Sequence, residues 1–321
     1  MAKRMNRRTL LQYTGIAAAG VALSPFLQRM AQADVPSGPP KKVLFFTKSQ
    51  TFQHPVIARP KDDPTKLSFA EQLLTDWGKE NGFDVTCTKD GTMFDPDKIK
   101  DIDIFAFCTT GDLTKDSPEK TGIEPPMTPE GKQAFLDAIA GGKGYIGFHC
   151  ASDTFHSPGH VQGQADLLRS VDESGKDKFD PYIQMLGGEF IIHGDQQTAI
   201  LKCIDPNFPG AKAYTDAKFV EEWYSLKNFA SDLHVILAQD CTGMKSSKGE
   251  YARGPYPETW IRVHEKGRVF YTSMGHRGDV WKRPEFKTLV VGALNWASGR
   301  IEADTTPNIA TATPDANVKA G

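Results

Sequence analysis

The chain has 321 residues, 39% of them hydrophobic and 24% charged, with 38 Lys and Arg against 40 Asp and Glu. Lys3, Arg4, Arg7, Arg8 and Arg29 give the first thirty-three residues +5 with no acid, so the rest of the chain carries a net charge near −7. An acidic chain without a basic run excludes nucleic acid and anionic membrane surfaces as partners. Five scattered cysteines with no Cys-x-x-Cys spacing signal neither a disulfide framework nor a zinc finger.

Residues 1–33 have the order of an export signal: a basic start, an apolar stretch from Ile16 to Leu27, and the small-residue cleavage pattern Ala31-Gln32-Ala33. The adjacent Arg7-Arg8 followed by Leu10-Leu11 marks the twin-arginine route, so the twin-arginine translocation machinery is an expected partner and the periplasm, or another exported location, the expected destination. The apolar stretch is shorter than the roughly 20 residues a bilayer span needs, so no permanent membrane span is expected. Residues 34–40 form a polar linker.

A domain over 41–299 follows. Lys42 to Phe46 has the apolar run of a buried strand. Ser68 and Glu71 make a capping box, with Ala70, Leu73, Leu74 and Trp77 at helical spacing behind it. Strands are predicted at Phe83–Cys87, Asp103–Phe107 and Gly144–Phe148, with a helix between the last two opened by Thr128-Pro129 and closed by Gly141-Gly142. This alternation predicts right-handed βαβ units and a mostly parallel sheet with helices on both faces: a flavodoxin-like three-layer α/β/α sandwich. From Asp153 to about Pro181 the pattern loosens into a long loop rich in Gly, Asp, Ser and His, a length that usually carries function. Short strands are expected near 198–203, 219–223, 234–238, 259–263 and 268–272, then a helix from Pro284 to Ala297 and a disordered tail over 300–321.

Ligands of such sheets bind at the carboxyl ends of strands. Four segments deliver chemistry there: Gly147-Phe-His149-Cys150, the run ending at His193, Glu221-Glu222-Trp223-Tyr224, and the run ending at His276. His149, His193, Glu222 and His276 together make a ligand set that a divalent transition metal such as zinc or manganese accepts. For acid–base work the candidates are His149, Glu222, His276 and Asp153. His54 and Asp112, on the loops after the first and third strands, join His193, Trp223 and Tyr224 as substrate-binding candidates. An acid among aromatics suits a carbohydrate, whose apolar ring face packs on aromatic rings while carboxylates take its hydroxyls. Alternation along a strand sets Glu222 and Tyr224 on one face, Glu221 and Trp223 on the other. Cys150, at the strand-to-loop elbow, is a candidate nucleophile but lacks the glycine that such an elbow carries after it. No Gly-x-Gly-x-x-Gly or Gly-Lys-Ser/Thr loop is present, which disfavours dinucleotides and nucleoside triphosphates.

Gly147-Phe-His149 with Ala151-Ser-Asp-Thr-Phe155, Leu186-Gly-Gly-Glu-Phe190 with His193, Glu222-Trp-Tyr224, and Gly267-Arg-Val-Phe-Tyr-Thr-Ser-Met-Gly-His276 occur in the order that resembles the ThuA-like family, named for trehalose utilisation. The resemblance implies a fold like that of class I glutamine amidotransferases, with His149 at the elbow where those enzymes hold cysteine, so glutaminase chemistry is not expected. It also implies a role in carbohydrate metabolism, on a disaccharide or a 3-keto-glycoside. The leading expectation is an exported isomerase, hydrolase or lyase, metal-assisted. The alternatives are a non-catalytic carbohydrate-binding or scaffold protein and a thiol-dependent hydrolase centred on Cys150.

Overall fold

A computed structural model describes residues 38–118, 124–160 and 170–317. The export signal expected at 1–33 and part of the loop after Asp153 lie outside the described residues. The strands are β1 (Lys41–Phe46), β2 (Phe83–Thr88), β3 (Ile104–Phe107), β4 (Gly144–Phe148), β5 (Glu189–His193), β6 (Gln197–Cys203), β7 (Lys218–Glu221), β8 (Tyr224–Lys227), β9 (His234–Asp240), β10 (Tyr256–His264) and β11 (Gly267–Thr272). The helices are α1 (Phe69–Glu80), α2 (Pro129–Ala140), α3 (Pro181–Leu186), α4 (Gly278–Trp281), α5 (Pro284–Ala297) and α6 (Ile309–Ala312).

Nine strands form one sheet in the order β2-β1-β3-β4-β11-β10-β9-β6-β7, and β5 pairs with β8 in a second, two-stranded sheet. β2, β1, β3, β4 and β11 run parallel, in the doubly wound flavodoxin-like order, while β10, β9, β6 and β7 extend the sheet antiparallel. The central strands β1, β3 and β4 carry continuous apolar runs because helices cover both faces. Successive residues show it: Phe46 and Phe107 face α2, where Phe135 stacks on Phe107 at 5.0 Å, whereas Phe45 meets Phe148, which packs on Trp281 of α4. Trp77 of α1 and Phe286 of α5 complete that second layer around Trp281.

The helix ends follow from local chemistry. Ser68 and Glu71 exchange side-chain and backbone bonds as a capping box, and Glu71 also takes Arg59 at 2.9 Å and the Thr47 hydroxyl at 2.7 Å, tying α1 to the segment after β1. Pro129 and Pro284 open α2 and α5, where the missing N–H costs nothing. The short helix α3, not expected from periodicity, is opened by Pro181 with the Asp180 carboxylate accepting from Tyr182 N at 2.8 Å.

Residues 301–317, expected as a disordered tail, are instead bound to the antiparallel half. The Asn308 side chain accepts from Val235 N at 2.6 Å and donates to Val235 O, and Asn317 brackets both backbone groups of Phe229. Two asparagines thus serve backbone groups that a further strand would otherwise have to satisfy, a role that composition does not reveal.

Among the described residues, no helix is long and apolar enough to cross a membrane.

Candidate functional site

The strand order reverses between β1 and β3, and the loops that leave their carboxyl ends open a crevice there. Isolated bridges pair Ser49 with Thr110 and Gly111 with Thr154, holding the loops after β1, β3 and β4 side by side. Over this edge the chain brings together His54 from the β1 loop, His149 from the tip of β4, His276 from the loop after β11, and Glu222 from the junction of β7 and β8. One ligand atom from each lies within 4.8 Å of the others.

Each side chain has an identifiable reason to be there. His149 sits at an elbow with φ 41°, a conformation histidine tolerates better than branched residues, and it turns the ring back over the sheet edge. Its Nδ1 donates to Ser273 O at 2.7 Å, which leaves Nε2 toward Glu222 Oε2 at 3.3 Å. Tyr224 backs the ring at 4.1 Å between centroids. Glu222 lies where the chain changes sheets: β7 ends at Glu221 and pairs with β6, whereas β8 begins at Tyr224 and pairs with β5. Strand alternation therefore breaks at this point, and both acids turn inward. Glu221, expected on the opposite face, is fully buried and its Oε2 accepts from Gly275 N at 3.1 Å, beside His276.

The three imidazoles are splayed rather than stacked. His54 meets His149 at 87° and His276 at 85°, with centroids 4.9 and 5.1 Å apart. His276 Nδ1 lies 3.3 Å from Glu222 Oε2. His54 Nδ1 and His276 Nδ1 are buried without a hydrogen-bond partner, although buried polar atoms are nearly always paired.

Electrostatics separates the roles. Burial, with the neighbouring imidazoles adding to it, pushes His54 well below the usual imidazole range and His276 down to about 4, so both rings are neutral at pH 7. Burial opposes protonation of His149 too, but the carboxylates of Glu222 and Glu221 outweigh it and raise its proton affinity. Burial would raise Glu222, yet the bond to His149 and the charge around it hold its carboxyl below the ordinary range. Two neutral imidazoles, one shared proton and one carboxylate form a donor set ready for a divalent cation.

The other expected site residues are placed as follows. His193, at the end of β5, is 41% exposed on its side chain, with Nδ1 3.5 Å from Glu222 Oε1. It stands beside the four converging groups, and His54, expected to touch substrate, stands among them. Trp223 is buried, donates from Nε1 to Gln197 O at 2.7 Å and packs on Phe219, so it anchors the sheet junction. Asp112 closes a local turn with Thr114, its Oδ1 3.0 Å from Thr114 N. Asp153 accepts from His156 Nε2 at 2.8 Å in a separate cluster with Glu189 and His160. There His156 faces carboxylates from both ring nitrogens, Glu189 at Nδ1 and Asp153 at Nε2, and the rings of His156 and His160 stack at 3.6 Å.

Cys150 is fully buried with Sγ 3.6 Å from Cys108 Sγ, and burial raises its thiol well above the ordinary range. That disfavours the thiolate a nucleophile needs.

One residue was missed altogether. Glu258, on β10, is buried with its pKa pushed up to about 7 by desolvation, and it accepts from Ser273 Oγ, Thr272 Oγ1 and Met274 N. Its only sequence signal is an acid set among Tyr256, Pro257, Trp260 and Ile261.

No protein of curated function matches the chain. Solved structures resemble it over most of its length. A putative ThuA-like protein from Bacteroides uniformis is 18% identical, covering 83% of this chain and 94% of its own with a TM-score of 0.52. One from Parabacteroides merdae is 15% identical, covering 84% and 94% with a TM-score of 0.51. At these identities the likeness speaks for the fold. The sequence model of the ThuA family, described as trehalose utilisation, matches residues 42–297, and the chain therefore belongs to the ThuA family.

Proposed function

We propose that this protein is a metal-assisted enzyme of carbohydrate metabolism, an isomerase, hydrolase or lyase acting on a disaccharide or 3-keto-glycoside. The observation that carries the reading is the convergence of His54, His149, His276 and Glu222 at the sheet edge, with two buried ring nitrogens that make no hydrogen bond. A bound zinc or manganese ion would polarise a carbonyl or acidify water there.

The chain's own residues supply the rest. Ser273 O holds the His149 tautomer, and Tyr224 fixes the ring plane. Glu222 turns Oε2 toward His149 and His276 and Oε1 toward His193, so one carboxylate reaches both the buried donors and the open rim. A proton taken by Glu222 from the carbon next to a sugar carbonyl would be held on the carboxyl, whose Oε1 faces the open rim beside the His193 ring. Returned to the neighbouring atom it completes an isomerisation; delivered to a departing glycosidic oxygen it completes an elimination.

Export by the twin-arginine route belongs to the same reading and rests on Arg7-Arg8 with the apolar stretch that follows. Fractionation of cells with intact and Arg7→Lys/Arg8→Lys signals tests it; retention of exported protein by the variant argues against that route.

Elemental analysis tests the centre, on protein purified without chelator beside the His149→Ala/His276→Ala double variant, with turnover of a 3-keto-glycoside followed in both. Near-stoichiometric metal lost together with activity supports the reading. Metal-free, active wild-type protein sinks the metal, and metal-free, inactive protein that still binds sugar favours a binding role.

A further inference from the structure

Cys108 and Cys150 are, among the described residues, the one pair of cysteines whose sulfurs meet, Sγ to Sγ at 3.6 Å with both side chains fully buried. They lie 42 residues apart in sequence and come together because β3 and β4 are neighbours in the sheet. Cys108 directly follows β3, and Cys150 directly follows His149 beyond the end of β4. Cys87 and Cys241 have other company: Thr75 Oγ1 lies 3.5 Å from the first sulfur, and the Gln239 amide 3.6 Å from the second.

A disulfide holds its sulfurs about 2.05 Å apart, so closing this pair asks for roughly 1.5 Å of approach. The backbone around it yields little. Cys108 N donates to Phe46 O at 3.0 Å. The carbonyls on either side of Cys150 are pinned as well, His149 O by the Tyr271 hydroxyl at 2.7 Å and Ala151 O by the Tyr182 hydroxyl at 2.8 Å. What movement remains falls on side-chain torsions and on the elbow, where His149 at φ 41° already occupies a sparsely populated region. The ring of that histidine is placed by contacts of 2.7 Å to Ser273 O and 3.3 Å to Glu222. A displacement of about 1 Å is enough to undo such an arrangement.

We propose that Cys108 and Cys150 are an oxidisable pair, converted to a disulfide by a small hydroperoxide, and that the cross-link draws His149 away from Glu222. The thiol state of the pair then sets whether the cluster is intact. One sulfur, as thiolate, takes an oxygen from hydrogen peroxide as the O–O bond breaks, leaving a sulfenic acid and one water after protonation. The second thiol attacks that sulfur, the S–O bond breaks, and a second water leaves. Two thiols and one hydrogen peroxide thus give one disulfide and two waters. Cys108 is the sulfur to react first, because the bond from the Cys150 thiol holds its own thiol below the ordinary range. Export, as proposed above, would place the pair where disulfides persist. The effect on metal binding rests on the metal-assisted reading; the cross-link itself does not.

The test exposes reduced protein to hydrogen peroxide beside Cys108→Ala and Cys150→Ala, whose folding thermal melting checks. Peptide mapping without reductant, which needs neither variant, reads the cross-link. Competition with a chromophoric chelator reads zinc affinity, and NMR of the imidazole nitrogens reads His149. The expected result is a single linked peptide pair containing Cys108 and Cys150, with the zinc dissociation constant raised about tenfold. A phosphine reductant should restore the affinity, and peroxide should leave zinc binding by both variants unchanged. Sulfinic acid at either position without a link, a link to another cysteine, or intact thiols after prolonged exposure overturns the proposal. So does a link that leaves both zinc affinity and the His149 resonances unaltered, an outcome in which the metal-assisted reading stands. If the reduced wild type binds no zinc, the metal-assisted reading fails instead, and the His149 resonances decide this one: movement on oxidation supports it and constancy overturns it.

Discussion

His149 Nδ1 donates to the backbone carbonyl of Ser273 at 2.7 Å, and this one bond decides which face of the ring meets the cluster. The carbonyl is itself held from behind: the Ser273 hydroxyl and the Met274 N–H both donate to Glu258 Oε1 at 3.0 Å. A carboxylate on β10 that touches no part of the cluster thereby positions a histidine on β4.

Glu258→Ala is predicted to destabilise the fold by about 3 kcal/mol, because it strands several buried donors at once. Glu258→Gln keeps an acceptor and removes the charge. Since desolvation raises the Glu258 carboxyl to about 7, its stabilising contribution is complete below the ordinary 4.5 and is lost as pH rises through about 7. The melting temperature of wild type relative to Glu258→Gln should therefore fall across that window. A constant difference across it would contradict a buried acid at this position.

Removing any one of His54, His149 or His276 should abolish near-stoichiometric metal binding, whereas His193→Ala should retain it and lose turnover. Elemental analysis of the four single variants, with steady-state rates, separates the two outcomes. Because His149 shares a proton with Glu222 when no ion is present, metal uptake near pH 7 should release about one proton. Calorimetry in buffers of different ionisation enthalpy reads that number.

The cluster of Asp153, His156 and Glu189 should act as an electrostatic clamp on the loop after β4. Burial opposes its charge, but the two carboxylates prevail and raise His156 to about 9. The stabilisation is then fully present below 6.5 and lost as pH rises through about 9. His156→Gln should flatten the alkaline limb of the stability profile. If the limb is unchanged, the ion pairs contribute nothing measurable.

Cys150 should be a packing residue. Cys150→Ala is expected to keep activity and to cost about 1 kcal/mol for the small void it leaves, and iodoacetamide should leave the thiol of the native protein unmodified. Rapid alkylation coupled to inactivation would restore the thiol as nucleophile.

Much of the parallel half was legible because its signals are local. The capping box at Ser68 and Glu71, the prolines opening α2 and α5, and the uninterrupted apolar runs of β1, β3 and β4 each depend on neighbours a few residues away. The helix α3 was missed because six residues are too few for periodicity, although Asp180-Pro181 was a start signal. The tail was misjudged because its anchors, Asn308 and Asn317, bind backbone more than seventy residues away in sequence.

The same distinction governs the site. The sequence by itself determined the family, the strand ends at which His149 and His276 appear, and the acid of Glu222, since these depend on motif and hydrophobic pattern. Only the tertiary structure decided that His54 joins them while His193 stands at the rim, that Glu221 turns inward with Glu222, and that Glu258 supports the whole from below. Those outcomes depend on strand order and on the break between β7 and β8, where the chain leaves one sheet for another, and no local pattern encodes which distant loops such a change brings together.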